Sequence, residues 1–390
     1  MKGLFRQKGA QLDINILASD EAQEFITTHA GILDGGVQKV EMSYKMRERL
    51  TRSNYIFSGI KTFHELNEAF PSMLDENGNK KPFERFLNDV QKINDTYNAN
   101  YLHAEYNFVQ ASATMAAKWE QFSEDGDRYN LQYRTAKDDK VRPEHAALDG
   151  VTLPMSDSFW ETYYPPNGWN CRCTVVQVRK QKYPATEHTE AMSRGEEAMN
   201  GERYNIFRFN SGKQGKTMPD YNPYTIRRCN DCDVAKGKLK LGFVPDYQLC
   251  QGCIMIRKCS EDRNRDNSAK ATKKSPEVKK LQGTTISNPD FNHEVLVTGG
   301  SIREWTNQPH KDYAAKNSIL KHIAKVFREA NYIGVVDNFK QKPGVIQSHL
   351  FETTVLGDVS WIVIREYDDG RFILHSLSDG DRIKTGIRKE

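Results

Sequence analysis

The sequence predicts an α+β multidomain protein: a mostly helical N-terminal domain with a small sheet, a central zinc ribbon, and a C-terminal antiparallel sheet packed on one helix. Three observations lead there. The 390 residues correspond to two or three domains at about 150 residues each. Apolar residues recur at three- and four-residue steps early in the chain and alternate near its end. Of the seven cysteines, five fall between Cys229 and Cys259.

Composition excludes several classes. Charged residues make up 28%, apolar ones 37%, and the mean hydropathy is −0.74. The longest apolar runs, Trp361–Ile364 and Cys253–Ile256, fall far short of the roughly 18 residues a membrane helix needs. Residues 1–12 carry Lys2, Arg6 and Lys8 without an apolar stretch, so no secretory signal is expected. A membrane protein, a secreted disulfide scaffold and a fully disordered chain are excluded.

The elements follow in order. Pro82 suits a helix first turn, and Phe83, Phe86, Leu87, Val90, Ile93, Tyr97 and Tyr101, then Met115, Trp119 and Phe122, mark a buried helical stripe. Asp125-Gly126 breaks it, and Tyr129, Leu131 and Tyr133 alternate with polar residues as in a half-buried strand. Residues 181–222 are polar and punctuated by Gly and Pro, which reads as a connecting arm. Residues 261–283 are basic and nearly devoid of apolar side chains, which reads as a linker. The last domain, 284–390, begins with a strand over 293–298, then Gly299-Gly300 and a helix from about Pro309 to Ala330. Three strands follow, over 349–356, 359–367 and 371–377, joined by two-residue hairpin loops at Gly357-Asp358 and Asp369-Gly370.

Charge is unevenly spread. Residues 1–222 hold 28 basic and 31 acidic side chains, residues 223–283 hold 14 and 7, and residues 284–390 hold 14 and 14. A nucleic-acid contact would therefore be sought in the middle segment, where a solvated linker is the alternative. That segment also contains Cys229-x2-Cys232 and, 17 residues later, Cys250-x2-Cys253. Two such pairs can place four thiolates on one tetrahedral zinc, so residues 223–260 read as a zinc ribbon with a structural ion. Cys259 is then a substitute ligand or a free thiol.

Residues 1–180 hold a second constellation: Lys140-Val141-Arg142-Pro143-Glu144-His145, Leu148-Asp149-Gly150, Phe159, Pro165-Pro166, Trp169 and Asn170-Cys171-Arg172-Cys173. This run resembles the phage Mu F-like head morphogenesis (minor capsid) family, with the likeness covering roughly residues 85–180. The resemblance implies a virion protein acting near the portal, with portal, capsid and scaffold proteins as partners. It places the chain in the virion and, during assembly and after delivery, in the host cytoplasm. His145 with Cys171 and Cys173 either binds a metal, or the imidazole hydrogen-bonds locally while the cysteines pack under Trp169. No nucleophile is paired with a base in this domain.

The last domain carries His293, His310, His322, His349 and His375. With two-residue loops, Leu356 pairs with Val359 and Asp368 with Arg371. His349 then falls opposite Glu366 and His375 opposite Ile364, all on one face. Arg365, Ser376 and Trp361 lie on the other, and a slip of one residue would exchange the faces. Clustered His, Glu and Arg suit metal-free RNA cleavage, which needs a base, an acid and a cation for the phosphorane; a set of surface histidines on an antiparallel sheet is the alternative. Ile302-Arg303-Glu304-Trp305-Thr306-Asn307-Gln308-Pro309-His310-Lys311, with Tyr313, Lys316 and Asn317 and the ending Leu374-His375-Ser376, looks like phage nucleases of the barnase–EndoU–colicin–RelE type. That resemblance implies a metal-independent endoribonuclease effector. It would use His310 and Lys311 at a helix start, where a phosphate is favoured. His349 and one or more of Arg365, His375 and Ser376 would join them from the sheet, with Glu366 beside His349. It also implies an RNA substrate and an immunity protein in the producing cell; His293 and His322 read as structural. The alternative is a purely structural virion protein whose last domain only binds portal, scaffold or DNA.

Overall fold

The computed structural model describes residues 1–7, 12–220, 222–224, 251–311, 313–338, 341–355 and 357–388. The chain forms two compact units, residues 1–260 and 261–390. No helix among the described residues is long and apolar enough to cross a membrane.

The first unit is helical at its start: α1 (Lys2–Arg6), α2 (Asp20–Gln38), α3 (Tyr44–Ala69), α4 (Phe83–Asp95) and α5 (Leu102–Asp125). Ser19 and Ser43 cap α2 and α3, each hydroxyl accepting from a first-turn amide. Pro82 caps α4, and the stripe it introduces buries Phe86, Val90, Tyr97, Met115 and Phe122. Gly126, at φ 54°, ends α5. A three-stranded antiparallel sheet follows, in the order β2-β1-β3: β1 (Asn130–Arg134), β2 (Thr152–Pro154) and β3 (Thr174–Val178). Short helices α6 (Pro143–Ala146) and α7 (Phe159–Thr162) lie in the connections. β1 is central and covered on both faces. Leu131 and Tyr133 enter the core, and buried Asn130 and Gln132 bond to Tyr183 O and Thr152 Oγ1.

The expected connecting arm is folded. Residues 181–222 form α8 (His188–Ala198) and α9 (Ser211–Gln214), and bury Ala191, Met199, Phe207, Phe209 and Met218 in the main core. Glycines permit the contact: a Cβ on Gly195 would lie 2.5 Å from the Tyr163 ring, and one on Gly212 would overlap Trp119. The polar sequence hides this because the apolar residues are few and spaced without a period.

The expected linker is also ordered. Helix α10 (Gln251–Lys274) runs through Ser260, and α11 (Pro276–Leu281) follows, so the second unit begins at Glu261 rather than 284. Val278 is buried in the second unit's core with Leu281 packed beside it, and hydrogen bonds add to the anchor: Asn317 donates to Ser268 Oγ at 2.8 Å, and Ser268 donates to Tyr313 O.

The second unit has a six-stranded sheet in the order β4-β5-β9-β8-β7-β6. Its strands are β4 (Thr285–Asn288), β5 (Phe291–Leu296), β6 (Asn331–Asp337), β7 (Val345–Val355), β8 (Asp358–Tyr367) and β9 (Phe372–Ser378). The sheet is mixed, not antiparallel throughout, because β5 pairs parallel to β9. Helix α12 (Gly299–Asn307) precedes the stretch expected to be one helix from Pro309 to Ala330, and that stretch forms two, α13 (Tyr313–Ile319) and α14 (Ile323–Glu329), joined by a 3-10 turn over Leu320–His322. Thr298 and Ser301 form a capping box that starts α12, and Pro309 holds Gln308 extended and ends it. Leu320, Ile323 and Phe327 pack with Trp305 against Phe351, Ile362, Ile364 and Leu374.

The hairpin registers differ from expectation in two ways. Val355 pairs with Asp358, so His349 lies opposite Ile364, two residues from the expected partner. A shift of two keeps every face, and His349 still shares one with Glu366. Between β8 and β9 the loop has three residues, Asp368 to Gly370, with Gly370 at φ 82°. Glu366 therefore pairs with Phe372 and Ile364 with Leu374, a slip of one, until a bulge restores Val363 opposite Ser376. His375 is the inserted residue, not the partner of Ile364.

Candidate functional site

In the first unit, β1 and β3 pair with Tyr133 opposite Val175 and Arg134 opposite Thr174. Cys173, one residue before β3, is thereby brought beside the chain leaving β1. That chain leads into α6, where Pro143 takes the first helical position and His145 the last turn. Arg142 donates to Trp169 O at 2.7 Å and joins the two loops. Asn170, at φ 57°, makes the corner before Cys171. Three donor atoms converge: the Sγ atoms of Cys171 and Cys173 each lie 3.7 Å from His145 Nδ1. All three fall within 4.8 Å of one another.

His145 and Cys171 are buried, and the His145 Nε2 atom has no protein partner among the described residues. Trp169 packs edge-on against Phe108 and Phe207. The donors border a cavity of about 260 Å³ lined also by Ala136, Lys140, Val141 and Arg142. The two thiols act on each other. Donation from Cys173, opposed by burial and helped by His145, holds Cys171 well below the usual thiol range; the same pairing pushes Cys173 up. At the rim, Arg172 forks onto Asp138 at 2.6 and 2.7 Å and holds its carboxyl down at about 2. This donor set suits a zinc-class ion.

Of the four cysteines expected to hold a structural zinc, Cys229, Cys232 and Cys250 lie outside the described residues. Cys253 is in α10, buried in the first unit's core.

The second unit divides the expected catalytic residues into separate groups. His349 Nδ1 meets the Tyr332 hydroxyl at 3.0 Å and its Nε2 meets Glu366 Oε2 at 3.1 Å. Gln347 donates to the same carboxylate oxygen at 2.8 Å, and Phe291 packs on the imidazole. Burial raises the Glu366 carboxyl, but bonds from Gln347 and His349 and the charge of His293 outweigh it, leaving it below the usual range. His310 belongs elsewhere: it is buried, 3.3 Å from Ser360 Oγ and 3.9 Å from Asp379. Lys311 donates its backbone amide to Asp379 and its ammonium pairs with Asp358. Neither residue starts a helix. Ser360 and Glu366 are six residues apart on β8, about 20 Å at the usual strand rise, so His310 and His349 do not face one reacting phosphate.

Arg365 lies opposite Ile373 and Ser376 opposite Val363 on the face away from His349. Both His375 and Arg365 act on Glu304, where burial is outweighed by a bond from Gln308 and by these charges. His375 therefore groups with Arg365, not with Glu366. Sequence reasoning missed Tyr332, Gln347, Ser360 and Asp379. The signal for Tyr332 was the unrecognised strand β6; Ser360 and Asp379 have none without the fold.

Residues 77–176 match the family model described as "Phage Mu protein F like protein". Residues 264–374 match the one described as "Large polyvalent protein-associated domain 3", a description that names no nuclease. The chain is 28% identical over 284 residues to the "Putative capsid assembly protein F" of Escherichia phage Mu, covering 66% of this chain and 61% of that protein. It is 32% identical over 102 residues to the "Mu-like prophage FluMu F protein" of Haemophilus influenzae, covering 26% of this chain and 22% of that protein. It thus spans less than two thirds of either relative. No solved structure matches the chain. The residues matched by the Mu F-like family model include His145, Cys171 and Cys173.

Proposed function

We propose that the chain is a phage head morphogenesis protein that acts in capsid assembly, with partners among the other head proteins, portal and scaffold included. The observation that carries this is the Mu F-like match over residues 77–176, extended by 28% identity over 284 residues to a protein named for capsid assembly. The protein then resides in the virion. The test is co-expression with the head genes of the phage that encodes it, followed by gradient purification. The chain should travel with procapsids, and its deletion should reduce their yield. Normal heads without it, and its absence from purified particles, would overturn the reading.

As a second reading we propose that residues 261–390 act as a metal-independent ribonuclease-like effector. What supports it is the Tyr332–His349–Glu366 chain, in which a carboxylate holds one tautomer of a histidine whose other nitrogen meets a phenol. His349 would serve as the base and Tyr332 as its partner, without His310. The full chain should cleave RNA in EDTA, and His349→Ala should abolish this while His310→Ala retains it. Intact RNA at high protein concentration removes this reading.

A further inference from the structure

We propose that His145 Nδ1, Cys171 Sγ and Cys173 Sγ bind one zinc ion in the first unit, at a site separate from the Cys229–Cys253 set. The geometry carries the argument. For Zn–S near 2.3 Å and Zn–N near 2.0–2.1 Å, a tetrahedral ion holds its sulfur and nitrogen donors about 3.6 Å apart. Both observed sulfur–nitrogen distances are 3.7 Å. A histidine engaged in ordinary hydrogen bonding aims one nitrogen at one oxygen or amide. Here Nδ1 faces two sulfurs at equal distance.

Two thiolates and an imidazole select zinc over magnesium or calcium, which prefer oxygen. The three protein donors border the cavity beside Val141 and Asn170, so a fourth ligand, water or a donor from a head protein, has room. The ion would pin α6 to the start of β3, joining two loops that the sequence separates by 25 intervening residues from His145 to Cys171.

The test uses the purified full chain and variants, with metal content by mass spectrometry and cobalt(II) as a spectroscopic probe. His145→Ala, and Cys171→Ser with Cys173→Ser, should each lose one zinc per chain relative to the unsubstituted protein. A Cys229→Ser, Cys232→Ser variant should keep that zinc. On this last background, cobalt(II) should give strong tetrahedral visible bands with thiolate charge transfer, and a chelator should lower the first thermal transition. Should the His145 or Cys171 variants fail to fold, the cobalt spectrum on the Cys229→Ser, Cys232→Ser background still decides. Unchanged zinc content in the triad variants, no zinc on that background, or a weak six-coordinate cobalt spectrum each overturns the proposal.

Discussion

Lys61 and Glu105 meet at 2.7 Å with both residues almost wholly buried, and His29 and the Tyr224 hydroxyl complete the set. Burial pushes the Lys61 ammonium down and Glu105 partly restores it; for Glu105, burial is outweighed by His29 and Lys61 and the carboxyl stays ionised. Glu105→Gln leaves a buried cation without its counterion, and should destabilise the first unit by about 3–5 kcal/mol, seen as a lower urea midpoint. Lys316 is a different case. Its ammonium donates to the carbonyls of Trp305 and Gln308, both uncharged, and burial pushes it down to about 8 although Asp379 opposes this. From about pH 8 to the unfolded value near 10.5, the unfolded chain keeps a proton the folded one has released, so stability rises with pH. The Tm of the second unit, relative to Lys316→Met, should therefore climb across that window; a flat difference would refute the assignment.

At the scale of elements, α8 and α9 show why a polar segment can be integral. Gly195 faces the Tyr163 ring, which is held by a bond from its hydroxyl to Glu196 Oε1 at 2.6 Å, so the ring cannot swing away cheaply. Gly195→Ala should cost about 1–3 kcal/mol by overpacking, against the gain expected for alanine in an exposed helix, and calorimetry gives the sign. Elements with strong periodicity were legible: the α4–α5 stripe, and β7, β8 and β9 to within a few residues. Elements whose cause is tertiary were not. α10 carries too little apolar surface for a pattern, β6 follows a helix without a turn signal, and Pro309 stops a helix where it was expected to start one. The site was legible to the same extent. Alternation placed His349 and Glu366 on one face because a two-residue slip is harmless. A loop one residue longer moved His375, because an odd slip is not. The convergence of His145 with Cys171 and Cys173 rests on the β1–β3 pairing, which residue spacing alone does not reveal.

For the whole molecule, charge is the property that sequence and structure rank differently. By segment, residues 223–283 hold an excess of seven basic side chains, which points to nucleic acid. By structural unit the excess dissolves: residues 1–260 hold 35 basic and 34 acidic side chains, and residues 261–390 hold 21 and 18. Part of the middle excess is also engaged, since Arg257 pairs with Asp220, and Arg265 with Asp262 and Asp266. Neither unit therefore projects a strong field of one sign, and any phosphate contact is local. Each neutralised phosphate adds about −0.9 to the slope of log K against log salt on duplex DNA, so taking only the net excess of seven basic side chains as available for contacts sets the expected limit at about −6. Binding of the full chain to a nonspecific duplex, titrated across salt by anisotropy, should weaken with a slope shallower than that limit. A steeper slope would mean that more basic side chains reach phosphates than the net excess supplies, either from the 14 of residues 223–283 or from a face elsewhere, with the neighbouring acidic residues segregated from it.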